Sequence, residues 1–76
     1  MSAPAHVEEH LFHAWDALVQ ASRANRAGDD VKRRKNIAYA ENREASAKAL
    51  LHTLSAKDRA AAEIELRHLA DEIHYA

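Results

Sequence analysis

His6, His10 and His13 are the residues best suited to chemistry in this 76-residue chain. They stand at i, i+4 and i+7, so a helix would carry all three on one side. Neutral imidazole is the commonest metal ligand in proteins, and two at i, i+4 can clamp a divalent ion. Six His in so short a chain is a high count. Yet the strip falls opposite the large apolar residues of its segment, so it is expected to face solvent. A structural zinc needs four ligands and hydrogen bonds that hold them. Glu9 and Asp16 diverge around the helix and do not complete such a set. The three His are therefore candidate ligands on what is expected to be a solvated polar face, and neither a metal nor a cofactor is expected.

Two further pairs have the spacing of di-metal carboxylate bundles. Glu65 and His68 stand at Glu-x-x-His, and Asp71 and His74 repeat the spacing with Asp. Such a centre also wants a Glu from each of two other helices, all pointing inward. Glu44 is the one carboxylate expected to face inward from the middle of the chain. The set does not converge within one subunit. Glu44 is expected instead to be a half-buried acid that pairs with Arg or His and fixes register.

The sharpest charge feature is Lys32-Arg33-Arg34-Lys35, with Arg23 and Arg26 just before it. Six of the eleven Lys and Arg residues fall in this stretch. A helix N-terminus ringed by cations suits phosphate. Nucleic acid and an acidic protein surface both fit it. The simpler expectation is a solvated basic end balanced by Asp71 and Glu72, since a third helix would return to this end.

Nothing points to covalent catalysis. The chain has no Cys and one Gly, so it has no thiol nucleophile, no disulfide and no phosphate-cradling loop. Trp15 is expected to anchor packing. The segment Asn42 to Lys48 resembles seven residues of a basic-leucine-zipper contact region. The dense basic residues that should follow are absent, and no leucine heptad extends beyond Leu54, so the likeness implies no function. The expected helices are too long, and their joints too tight, for a helix-turn-helix.

Three helices must position these groups. The first is expected over about 5–27, after a disordered stretch 1–4, with Ser2 a possible cap and Pro4 near its start. Val7, Leu11, Ala14, Trp15, Leu18, Val19 and Ser22 fall on one face, with Phe12 at its margin. Gly28 suits a left-handed turn after it. The second is expected over about 31–54, capped by Asp29 or Asp30. Its seam is Ile37, Ala40, Glu44, Ala47, Leu51 and Leu54. A second strip holds Val31, Ala38, Ala45, Ala49 and His52. The third is expected over about 56–75, opened by Ser55 with Asp58 three residues on. Its seam is Ala62, Leu66, Leu69 and Ile73. Ala61, Ile64, His68 and Tyr75 form another, roughly 140° away on an ideal helix. The pattern is an all-α, up-down-up three-helix bundle, with helices roughly 30–37 Å long at about 1.5 Å per residue.

Composition sets the limits. Hydrophobic types make up 47% of the chain, but half of those 36 residues are Ala. Eighteen large apolar side chains cannot build a sizeable private core or enclose a substrate. The second and third helices nonetheless show more apolar faces than two neighbours need. Self-association is the expected resolution, with Ala61, Ile64, His68 and Tyr75 as the candidate seam. The expected role is a non-catalytic helical interaction module, an adaptor, inhibitor or regulatory subunit acting as a homo-oligomer or on a larger protein. The alternatives are nucleic-acid binding through Arg23, Arg26, Lys32, Arg33, Arg34 and Lys35, and a His-rich metal-binding bundle. A net charge of -1 gives no global attraction to nucleic acid or membranes. The first residues read as no secretory signal, and no apolar run spans a bilayer, so a cytoplasmic location is expected.

Overall fold

The structure, a computed structural model, describes residues 3–76. It contains α1 (Ala3–Arg26), α2 (Asp30–Ala49), a 3-10 turn (Leu51–Thr53) and α3 (Ala56–Tyr75). The described residues include no strand. The three helices form a small bundle measuring 42 × 22 × 14 Å. Helix α1 begins at Ala3, two residues before its expected start. Met1 and Ser2, with the cap expected at Ser2, lie outside the described residues.

The first joint follows from local chemistry. Gly28 has φ +74, a conformation that side chains with a Cβ rarely adopt. It lets the Asp29 N–H reach the Ala24 carbonyl at 2.8 Å and the Gly28 N–H reach that of Asn25 at 3.1 Å. Those two bonds close the end of α1 in a Schellman motif. Asp29 then caps α2, its Oδ1 accepting from the Lys32 N–H at 3.0 Å. With the chain reversed so sharply, α1 and α2 lie antiparallel along most of their length.

The second joint departs from expectation. Helix α2 stops at Ala49 rather than at about 54. Leu50 leads into the 3-10 turn, whose tighter winding keeps Leu51 half-buried and Leu54 buried. The freed carbonyls find donors later in the chain. The Arg59 side chain donates to Leu51 O at 3.3 Å and to Leu54 O at 3.1 Å. Helix α3 spans the expected range, and Ser55 Oγ accepts from the Asp58 N–H at 3.3 Å.

The core corrects the reading of α1. Its buried residues are Val7, Leu11, Ala14, Ala17, Ala21 and Ala24, half of all the buried hydrophobics. Trp15 and Leu18 only partly bury against this core. Val19, Ser22 and Phe12 are exposed. The seam against α2 is thus the Ala row, which a size-weighted pattern passes over. Ala40 and Ala47 oppose it from α2, both at 0% exposure. One-carbon side chains let two backbones approach closely. In α2 the seam from Ile37 to Leu54 is buried or half-buried as expected, and in α3 so is Ala62, Leu66, Leu69 and Ile73. Helices α1 and α2 make the main pairing, and α3 packs on both to a similar extent.

Candidate interaction surface

The basic end is less free than its composition suggests. Both oxygens of Asp30 are taken, Oδ1 by Arg33 and Oδ2 by Arg34, each at 2.8 Å. Hydrogen bonds from Arg33, aided by the charge of Arg34, hold the Asp30 carboxyl below its ordinary pKa. Arg33 also donates to the Ala76 carbonyl at 3.3 Å, so α3 does return to this end. Arg26 reaches Ser22 Oγ at 3.5 Å. Asp30, not Asp71 or Glu72, balances the cluster: the ion pairs among the described residues include neither of the latter. Arg23, Lys32 and Lys35 stay exposed and enter none of those ion pairs. An open cleft of about 300 Å³ lies beside Arg33, lined also by Ser22, Asn25, Glu72 and Tyr75 among others.

The His strip does not face away from the core. At about 100° per residue, His10 and His13 continue the α2-facing Ala row toward the N-terminus. Both are half-buried, while His6 is exposed. His10 Nδ1 lies 2.9 Å from Arg43 Nη1. A guanidinium can only donate, so this nitrogen accepts and the proton of neutral His10 sits on Nε2. Arg43 in turn donates to the Tyr39 hydroxyl at 3.0 Å, linking α1 to α2 through a polar chain. His13 lies 4.0 Å from Glu9. Among the described residues, no three His, Asp or Glu side chains gather as a metal site would require.

Glu44 occupies the inward position expected of it, with 16% of its side chain exposed. Its Oε2 is buried and accepts no hydrogen bond. Lys48 Nζ stands 3.7 Å away, near enough for charge attraction but too far to donate. A half-buried acid so poorly served costs more than it returns. Glu44→Leu is expected to raise stability by about 1 kcal/mol, or roughly 4–8 °C in Tm. A fall in Tm would show instead that the Lys48 pair is needed.

The largest unexplained feature is apolar. Phe12 is 67% exposed, Val19 48%, Ile64 50% and Tyr75 83%. Val31 and Tyr39 of α2 are exposed as well, but Tyr75 lines a cleft between α1 and α3, and helical register sets Phe12, Val19 and Ile64 toward that same flank. Near one end, Glu8 and Leu11 of α1 share a cleft with Asp58, Ala61 and Glu65 of α3. Near the other, Ser22 and Asn25 share one with Glu72 and Tyr75. By helical register, Phe12 and Val19 lie one step outside these clefts on α1, and Ile64 and His68 one step outside them on α3. The α3 seam Ala61, Ile64, His68 and Tyr75 is exposed throughout, as is the α2 strip from Val31 to His52. Val19, expected on the apolar face, and Phe12, expected at its margin, are both exposed. Their place on the flank could have been read from the Ala row, which claims the opposite side.

No described helix is long and apolar enough to cross a membrane. Comparison with protein-family models, curated proteins and solved structures finds no match to this chain.

Proposed function

We infer that the protein is a small non-catalytic helical interaction module whose working surface is the flank shared by α1 and α3. The observation that carries this reading is the exposure of Phe12 and Val19 on α1 and of Ile64 and Tyr75 on α3, which helical register sets beside the clefts between the two helices. The chain has only eighteen large apolar side chains, and it leaves these uncovered. Apolar surface gathered on one side favours association at about 25 cal/mol per Å² removed from water. The basic end supports a nucleic-acid role less well, because Arg33 and Arg34 already share Asp30. The His strip supports a metal role less well, because His10 is engaged by Arg43.

Native mass spectrometry of untagged protein at micromolar concentration tests the reading. The expected result is an assembly of more than one chain, without retained metal. Phe12→Asp with Ile64→Asp should return a single chain of unchanged helicity. A solitary chain from the unaltered protein, or an assembly indifferent to both changes, would overturn it.

A further inference from the structure

We propose that the occupant of the α1–α3 flank is a second copy of this chain, docked antiparallel about a two-fold axis that passes beside Trp15–Asp16 and His68. This rests on the reading above and specifies its partner and geometry.

The first support is the order of residues along α1. Glu8, Phe12, Val19 and Arg23 lie within an arc of about 60° on a helix of 100° per residue, so they form one stripe. All four are exposed. The order is acid, apolar, apolar, base, with spacings of four, seven and four. Reversed end to end, the stripe becomes base, apolar, apolar, acid at the same spacings. A two-fold axis midway between Trp15 and Asp16 therefore lays Phe12 on Val19 of the second copy, and the reverse. It also sets Glu8 against Arg23 at both ends. Neither Glu8 nor Arg23 enters an ion pair among the described residues. The two Asp16 carboxylates fall at the outer edge of the stripe, where solvent screens them.

The second support comes from α3. Within the α3 seam, Ala61, His68 and Tyr75 are spaced seven and seven about His68, and an axis there sets Ile64 against Glu72 of the second copy. The two clefts fix its level. One aligns Val7–Leu11 with Asp58–Glu65, and the other aligns Ala21–Asn25 with Glu72–Ala76. Both give an offset of about 52 residues between the parallel helices, which puts His68 level with the middle of the α1 stripe. One axis thus serves both helices, a requirement for an isologous interface.

Size argues for a weak contact. A patch about 22 Å long and two helices wide comes to roughly 500 Å² per copy, below the range of stable interfaces and within that of weak, transient ones. The dimer should accordingly be weak, with Kd in the micromolar range.

Sedimentation of the full chain from 1 to 200 micromolar, roughly the range such an interface requires, tests this with Glu8→Arg and Arg23→Glu. Each variant alone places like charges at both ends of the seam and should weaken dimerisation about tenfold or more. An equimolar mixture of the two should dimerise again, because Arg at position 8 of one copy then faces Glu at position 23 of the other. The double variant should recover as well. Circular dichroism confirms that each variant is folded. Dimerisation of the unaltered protein that ignores both single changes would overturn the antiparallel arrangement while leaving the interaction-module reading intact. Weakening without rescue in the mixture would overturn it too. A unaltered chain that stays solitary up to the highest concentration would overturn the proposal and self-association together.

Discussion

Ala40→Leu lowers Tm by roughly 4–24 °C. Ala40 has no exposed surface and sits in the core with Ala14, Ala17 and Ala47. The substitution adds three carbons to a seam built of single ones. The helices must then separate, or the side chain must leave its preferred rotamer. Overpacking of this kind costs about 1–3 kcal/mol, and each kcal/mol moves Tm by about 4–8 °C in a domain of this size. Ala45→Leu is the control. Ala45 lies on the same helix but is exposed, so its Tm should stay within about 3 °C of the parent, the effect of a surface change. Thermal melts followed by circular dichroism measure both. Equal shifts in the two variants would mean that the Ala row is filler and not the seam.

Leu69→Ala should be the more damaging change at the α3 contact. Leu69 is the largest side chain with nothing exposed, and it joins α3 to the core. Truncating such a Leu costs about 2–5 kcal/mol, the spread depending on how far the cavity collapses. A domain of this length has only about 4–11 kcal/mol in total. Urea denaturation should show a midpoint lowered by roughly half, and amide exchange should quicken in α3 before it does in α1. A loss under about 1 kcal/mol, well below the range for a filled core site, would place α3 outside the cooperative unit.

Much of this fold is legible in local chemistry. The Ser55 cap, the Asp29 cap and the Gly28 turn each satisfy backbone groups within a few residues. The seams of α2 and α3 follow from spacing because their buried positions carry Leu and Ile as well as Ala. Helix α1 is the exception. Its large side chains point toward α3 and the open flank, while its tightest contact is made by Ala14, Ala17, Ala21 and Ala24. A pattern weighted by hydrophobic size turns that helix by roughly a quarter-turn or more. The same rotation misplaces the His strip. The end of α2 is hidden for another reason. Leu50, Leu51 and Leu54 continue the helical spacing, and no Gly or Pro interrupts them. What stabilises the break is the Arg59 side chain, five and eight residues further on. A capping donor supplied by the next helix leaves no mark beside the break itself.

The Ala row also bears on how the chain reaches this state. Methyl side chains have no torsional freedom to surrender, whereas fixing each Leu forfeits about 0.5–1 kcal/mol of rotamer entropy. The connection between α1 and α2 is nearly as short as a loop can be, so its closure adds little further loss. The hairpin is therefore the natural nucleus. Order is expected to spread outward from Gly28 like a closing zipper, with α3 arriving last on a platform already made.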